Sequence, residues 1–132
     1  MGGKSKGSKA ERELLHMFWD TGIWAALRAP GSGSVPLPSP DILASNTKRY
    51  LAIECKSVRE PKKYFPNEEV DQLVLFARRF GSEPWIGIRF DREGWFFLKP
   101  SEMLRSEGNN FFYVTLEHAR KIGLSFDKLV SL

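Results

Sequence analysis

Apolar residues recur every three or four positions in two parts of the chain, a spacing that is typical of helices burying one face. The first part predicts a helix over residues 8–21, in which Glu11 is placed as the capping-box partner of Ser8. The second part predicts a helix over residues 67–80. Residues 1–7 are small and basic, and we expect them to form a flexible tail.

Apolar and β-branched runs predict strands over residues 23–28, 41–44, 50–58, 85–90 and 95–98, with an edge strand over 111–116. The first of these strands is expected to be buried, and a basic, proline-containing loop is expected over residues 59–66. Short polar turns join the second strand to the third and the fourth to the fifth, which predicts two antiparallel hairpins. The fold class is therefore mixed α/β, with a central, mostly antiparallel five-stranded sheet flanked by α-helices in one domain over residues 1–132.

Composition narrows the function classes. The chain has 132 residues, 42% of them hydrophobic, and a net charge of +4, which favours a packed domain with a polyanionic partner. One cysteine and two histidines exclude an intramolecular disulfide and a metal site built from these residues. We see neither a membrane-spanning run nor a signal peptide, so no membrane contact and a cytoplasmic location are expected. Motifs for organic cofactors are also missing, so none is expected.

Charged residues interrupt the otherwise apolar strand over residues 50–58. Glu54 and Lys56 lie on one face of that strand, ~6.6 Å apart, while Cys55 faces the core. Asp41, at the start of the paired strand, is expected to reach the same patch. Two carboxylates and the backbone carbonyl of Cys55 form a hard oxygen site suited to Mg²⁺ or Mn²⁺, beside which Lys56 can bind a phosphate or orient the attacking water. A solvated ion pair of Glu54 with Lys56 explains the same spacing.

Further candidates lie around this site. Glu11 fits either a helix cap or a role at the metal, directly or through water. Ser32 belongs to a glycine–serine loop that either approaches a phosphate or is a plain linker. Gln72 fits a water-orienting role, although we favour an ordinary surface glutamine. The candidate phosphate contacts, each of which is also explained as a solvated charge, are Arg12, Lys62, Lys63, Arg78 and Arg79.

Four segments in this order resemble the archaeal-type Holliday junction resolvases of the PD-(D/E)XK nuclease superfamily. They are residues 10–14 (AEREL), 28–34 (RAPGSGS), 40–42 (PDI) and 53–56 (IECK). The resemblance covers about residues 8–104, and it weakens toward the C-terminus. The loop over residues 34–39 has more prolines than the family pattern leads us to expect.

The resemblance implies a restriction-endonuclease-like nuclease domain that acts in DNA recombination and repair. The partners it implies are a four-way DNA junction, recognised by shape and cut symmetrically with Mg²⁺, and a second copy of the chain in a homodimer. Residues matched to the family motifs are Glu11 (helix glutamate), Asp41 and Glu54 (metal-binding acids), Lys56 (catalytic lysine), Ser32 (mobile-loop serine) and Arg12 (basic neighbour of the helix glutamate). The aromatic excess, especially Phe76, Trp95, Phe96 and Phe97, offers a dimer face, and core packing explains at least half of these residues.

Other functions remain open at this point. A related nuclease that cuts other branched or duplex DNA would carry the same acids and lysine. A DNA-binding module with an inactive nuclease fold is a second alternative, and a scaffold without a nucleic-acid role is the third.

Overall fold

The structure is a computed structural model that describes residues 2–30 and 36–132. In chain order its helices and strands are α1 (Gly2–Asp20), β1 (Ala25–Arg28), β2 (Ile42–Ser45), β3 (Tyr50–Val58), β4 (Lys62–Pro66), α2 (Asn67–Phe80), β5 (Glu83–Phe90), β6 (Gly94–Leu98), β7 (Leu104–Arg105), β8 (Phe111–Thr115), α3 (Leu116–Ile122) and α4 (Phe126–Ser131). Short 3₁₀ turns occupy Pro100–Glu102 and Glu107–Asn109. In the described part of the chain, no helix is both long enough and apolar enough to cross a membrane.

The central sheet has five strands in the order β1-β2-β3-β5-β6. Pairs β1–β2, β2–β3 and β5–β6 are antiparallel, and the pair β3–β5 is parallel. The parallel pair arises because the chain crosses from β3 through β4 and α2 before it enters β5. The predicted mixed α/β class, the five-stranded sheet and both hairpins are thereby confirmed.

A second sheet of three strands, in the order β4-β8-β7, was not predicted from the sequence. Residues 62–66 form β4, so the expectation of a loop over 59–66 is wrong for that part. Strand β8 lies between β4 and β7, so the expected edge position of residues 111–116 is wrong as well. The local sequence does not predict strand β4, because its partner β8 lies about fifty residues later, with Lys62 opposite Thr115.

The N-terminal part also differs from expectation. Helix α1 begins at Gly2, so residues 2–7 are helical rather than a flexible tail, and Ser8 does not cap the helix. Strand β1 is an edge strand whose residues are mostly exposed, and the expectation of a buried strand is wrong there. Helix α2, by contrast, spans residues 67–80 as predicted, and Gly81 ends it with a left-handed backbone of φ 80°.

The core forms two layers, one on each face of the central sheet. Helix α1 covers one face with Leu14 and Phe18, which pack with Ile53 of β3. Helix α2 covers the other face with Val70, Leu73 and Ala77 against Ala52, Ile86 and Ile88.

Gly87 of β5 lies opposite Cys55, where a Cβ atom would come within 3.0 Å of the Phe97 ring and 3.3 Å of Ile53. Strand β3 is therefore held between two packed layers.

Candidate active site at the edge of the central sheet

Strand β3 presents its charged residues to one face only. Ile53 and Cys55 are buried in the layer beneath α1, with relative exposures of 0% and 7%. Because side chains alternate along a strand, Glu54 and Lys56 point to the opposite face, where α2 lies. This arrangement agrees with the prediction that Glu54 and Lys56 share a face and that the Cys55 side chain enters the core. Burial raises the pKa of the Cys55 thiol well above its ordinary value.

Asp41 precedes β2 by one residue and is held beside β3 through both its backbone and its side chain. Its backbone N–H donates to the carbonyl of Ile53 at 3.0 Å. Its Oδ2 accepts a hydrogen bond from the backbone N–H of Cys55 at 2.8 Å. Ile42 pairs with Ile53, so Asp41, one residue before Ile42, lies beside Glu54. The structure thus brings the two predicted metal-binding acids together.

These two acids lack enough positive charge to be ionised together. Burial, the charge of Asp41 and contact with Glu69 raise the pKa of Glu54 to about 9. Burial likewise raises the pKa of Asp41, against the opposing effects of the Cys55 N–H and Lys56. Two carboxyl groups held this close favour the protonated form, because each negative charge opposes the ionisation of the other.

Lys56 lies between two acids rather than beside one. Its Nζ is 3.7 Å from Glu54 Oε2 and 2.7 Å from Oε1 of Glu69, in the first turn of α2. Burial acts most strongly to lower the pKa of Lys56, but the hydrogen bond and charge of Glu69, together with Glu54 and Asp41, raise it. The ammonium is therefore fixed in its charged form and in its position.

The charge balance of this group fits a divalent cation. Asp41, Glu54 and Glu69 are three carboxylates around one ammonium, an excess of two negative charges when all are ionised. Among the described residues, no set of three or more histidine, cysteine, aspartate and glutamate side chains is arranged to hold a metal by itself. Mg²⁺ suits such a site because it keeps several waters and binds through one or two carboxylates plus phosphate oxygens.

Glu11 reaches this site from α1 and takes part in a second polar network. Its Oε1 accepts from Arg28 Nε at 2.9 Å, and Arg28 also donates to the hydroxyl of Ser8 at 3.0 Å. Arg12 donates to the same hydroxyl at 2.9 Å. Burial and then the charge of Asp41 raise the pKa of Glu11, although Arg28 opposes them. The capping-box alternative for Glu11 is wrong, and the side chain instead belongs to the charged edge near Asp41.

The remaining predicted residues lie away from these contacts or outside the described chain. Ser32 falls outside the described residues. The Gln72 amide donates to Glu68 at 3.2 Å on the exposed side of α2, which agrees with the surface role that we favoured. Arg78 and Arg79 are exposed in the last turn of α2, ~14 Å along the helix axis from Glu69. Lys62 is exposed and Lys63 half-buried on β4.

Sequence reasoning did not assign a role to Glu69 or Arg28. Glu69 has the position of an ordinary helix-start acid, because the dipole favours acidic residues in the first turn of α2. Its pairing with Lys56 depends on how α2 packs on β3, and the sequence pattern does not reveal that packing. Arg28 carried a signal, because it is a charged residue at the end of a predicted strand.

Comparison with known proteins identifies the family of this chain. The family described as archaeal Holliday junction resolvase (Hjc) matches residues 3–132. A crossover junction endodeoxyribonuclease Hjc from Archaeoglobus fulgidus is 46% identical over 108 residues, covering 82% of this chain and 78% of the relative. The same-named protein from Sulfolobus acidocaldarius is 35% identical over 132 residues, covering 98% and 90%.

A solved structure gives the same result at the level of the fold. The structure of Archaeoglobus fulgidus Hjc, described as a Holliday junction resolvase, superposes with a TM-score of 0.85. The two chains are 36% identical in this comparison, which covers 93% of this chain and 98% of the other. On the matched sequence profile, the matched relatives and the shared fold, this chain belongs to the archaeal Holliday junction resolvase family.

Proposed function

We propose that this protein cuts four-way DNA junctions by metal-dependent hydrolysis of the phosphodiester backbone, with its site on the edge formed by Asp41, Glu54 and Lys56. Family members carry the name crossover junction endodeoxyribonuclease, and this chain is a nuclease of that kind, which acts in recombination and repair. The observation that carries the assignment of the site is the meeting of Asp41, Glu54 and Glu69 around the ammonium of Lys56.

The site residues have distinct proposed roles. A divalent cation, when bound, lowers the pKa of a coordinated water and offsets charge on the phosphate. Asp41 and Glu54 would hold that cation. The carbonyl of Cys55 is available as a further ligand. The carbonyl of Ile53 points toward Asp41, and residues two apart in a strand direct their carbonyls to the same edge, so the Cys55 carbonyl points to that edge as well.

The other chain groups act on the phosphate and on the water. Lys56 stabilises negative charge on the phosphate oxygens in the transition state, since its ammonium is held charged at the site. Glu11 assists through water, and Arg28 fixes its carboxylate at 2.9 Å. In-line attack of water would invert the configuration at phosphorus. We propose Mg²⁺ as the natural ion, with Mn²⁺ able to replace it.

We also propose that the protein acts as a homodimer, which would present two sites to the two opposing strands of a junction. Of the aromatic residues predicted to form a dimer face, Trp95 and Phe97 are buried core residues. An exposed apolar groove of about 430 Å³ lies instead beside the β1 edge of the central sheet. Its lining includes Trp19, Leu27, Tyr50 and Phe80, and Phe76 stacks on Phe80 at 5.0 Å.

The test of the nuclease proposal uses a synthetic four-way junction and a linear duplex with the same arm sequences. We expect symmetric cleavage of the junction with Mg²⁺, no cleavage with a chelator, and cleavage that survives an excess of linear competitor. Equal cutting of both substrates would favour a general PD-(D/E)XK nuclease. Binding without cutting in any divalent metal would favour the inactive module.

Dimerisation is tested separately by sedimentation. The variant Phe80→Glu is expected to sediment as a monomer, because it introduces a charge into the exposed groove. The matched variant Phe111→Glu changes an exposed phenylalanine on the second sheet and should leave the dimer intact. A wild-type protein that sediments as a monomer at micromolar concentration would contradict the homodimer.

A further inference from the structure

The outer side of the second sheet carries a cluster of aromatic rings around one lysine. Tyr64 pairs with Tyr113 across β4 and β8, and Phe111 lies opposite Pro66 on the same side. The next residues along the two strands, Phe65 and Val114, are fully buried on the other side. Lys62, Tyr64, Phe111 and Tyr113 therefore share one outward surface, which we call the aromatic face.

The rings of the aromatic face contact one another and remain open to solvent. Tyr64 lies 5.3 Å from Tyr113 and 6.1 Å from Phe111 between ring centroids. The relative exposures of Tyr64 and Phe111 are 44% and 42%. The Lys62 ammonium lies over both tyrosines, at 4.7 Å from Tyr113 and 5.0 Å from Tyr64. This surface thus combines flat aromatic rings with an exposed cation.

The charges of the second sheet identify the kind of partner that fits. Of the charged residues on strands β4, β7 and β8, Lys62 lies on the aromatic face, whereas Lys63 and Arg105 lie opposite Val114 and Phe112 on the other side. None of the three strands carries an acidic residue. A polyanion with flat aromatic groups complements both properties, and DNA is such a molecule. An apolar protein surface would leave the cation of Lys62 without compensation.

The aromatic face is connected to the candidate active site through β4. Phe65, the neighbour of Tyr64 in the chain, lies under Lys56, whose Nζ is 6.0 Å from the ring centroid. Strand β4 continues directly into α2, where Glu69 holds Lys56. Phe65 faces Lys56 and Tyr64 faces the opposite, outer side of β4. Because β4 is an edge strand of the second sheet, DNA that leaves the site can cross this edge and reach Tyr64.

We propose that the aromatic face stacks unpaired DNA bases while Lys62 binds the adjoining phosphate. The proposal rests on the proposed function, because a junction that opens at its branch point supplies such bases next to the cut strand. Paired bases inside a duplex have both faces covered by their neighbours, so the face is specific for unpaired ones.

The relative strengths of the lysine–ring contact and of base stacking allow a base to replace Lys62 on the rings. A lysine over an exposed ring contributes a factor of about 2 to 5 in an equilibrium constant. Stacking one base on an aromatic side chain contributes a factor of about 5 to 150. A base therefore displaces Lys62 from the rings, and the freed ammonium gains a phosphate partner.

The experiment measures binding with a chelator present, so that no strand is cut. The probes are a four-way junction with 2-aminopurine at the branch point and a linear duplex with the same arms. The variants are Tyr64→Leu, which removes the ring, and Tyr64→Phe, which keeps it. Phe111→Leu serves as a second ring-removing variant in case Tyr64→Leu fails to fold, and thermal unfolding checks all of them.

We expect Tyr64→Leu to weaken junction binding about fivefold or more and to abolish the change in 2-aminopurine fluorescence. Duplex binding should stay unchanged, and Tyr64→Phe should resemble the wild type. Lys62→Ala should reduce the slope of log affinity against log salt by about 1, whereas Tyr64→Leu should not change it.

Two outcomes would overturn the proposal. The first is that Tyr64→Leu and Phe111→Leu, when folded, bind the junction and change the 2-aminopurine fluorescence as the wild type does. The other is dissociation of a dimer by Tyr64→Leu in sedimentation, which would make the aromatic face a contact between two copies of the chain. Wild-type cleavage with Mg²⁺ is measured in parallel. Failure of the wild type to cleave would refute the proposed nuclease function. Normal cleavage together with unchanged junction binding by the variants would refute only the proposal that the aromatic face stacks bases.

Discussion

Two kinds of partly buried carboxylate occur in this protein, and they differ in what surrounds them. Glu83 accepts two hydrogen bonds from Arg49, each at 2.9 Å, and one from the Trp85 indole at 3.0 Å. The hydrogen bond from Arg49, followed by the effects of Trp85 and the charge of Arg49, lowers the pKa of Glu83. Glu54, facing Asp41 and Glu69, has its pKa raised to about 9.

Glu13 repeats the first arrangement at the other end of the sheet. It accepts from Arg89 at 2.8 Å and from the Trp95 indole at 2.7 Å. Burial acts most strongly and raises the pKa of Glu13, but Arg89 and Trp95 together bring it below the ordinary value. A carboxylate that the fold satisfies with an arginine and an indole is structural. One that the fold surrounds with other acids fits the cation site that we propose.

The largest expected effect comes from removing one of the acids that face other acids, namely Asp41, Glu54 and Glu69. Asp41→Asn should lower the single-turnover cleavage rate at least about 100-fold, because the cation loses a charged ligand. Junction binding should stay largely intact, since removing a negative charge does not weaken attraction to phosphate. Fluorescence anisotropy and single-turnover cleavage measure the two quantities, with Glu83→Gln as the control. Loss of both would count against a purely catalytic role.

A second prediction concerns stability against pH without metal. The pKa of Glu54 rises from an ordinary 4.5 to about 9 on folding, so the folded state binds more protons in this window. The free energy of unfolding should therefore fall as pH rises from 4.5 toward 9 in chelator, and less so with Mg²⁺. Chemical denaturation of the wild type and of Glu54→Gln measures this slope. Parallel curves for the two proteins would contradict the pKa assignment.

A smaller effect is expected from Glu69, which positions Lys56. Glu69→Gln should slow cleavage at saturating junction and Mg²⁺ by about tenfold, because an ammonium on a flexible stem loses its fixed position. The dissociation constant of the junction and the thermal midpoint should not change, which separates positioning from folding. Glu68→Gln, at the neighbouring exposed position, is the matched control. A normal rate in Glu69→Gln would show that Lys56 needs no such partner.

The smallest expected effect belongs to the satisfied group. Glu83→Gln should reduce the free energy of unfolding by about 1 kcal/mol, a modest value because the Glu83 side chain is 41% exposed. Its lowered folded-state pKa means that this contribution is present above the unfolded pKa and is lost as pH falls through the folded one. Urea denaturation from neutral to acid pH measures it. Impaired junction cleavage by this variant would weaken the distinction between the two groups.

The sequence predicted those parts of the structure that depend on contacts between near neighbours in the chain. The hairpin of β2 and β3 and the face shared by Glu54 and Lys56 follow from period and turn length, and both were predicted correctly. Asp41 was placed correctly because one short turn separates its strand from β3.

Features that depend on distant packing could not be predicted in this way. Strand β4 is short, basic and flanked by prolines, and only its pairing with β8 makes it a strand. Glu69 looked like an ordinary helix-start acid because its partner is on another element. The extension of α1 to Gly2 contradicts a sequence rule that favours serine at a cap.

Gly87 gives the sheet a position at which almost no substitution is neutral. It lies opposite Cys55, which separates Glu54 from Lys56 on β3, and a single added methyl group would press on Phe97 and Ile53. That pressure would reach the strand that presents Glu54 and Lys56, although Gly87 itself is buried. Redesign of this enzyme should therefore leave Gly87 unchanged, because we expect Gly87→Ala to displace β3 and lower the cleavage rate.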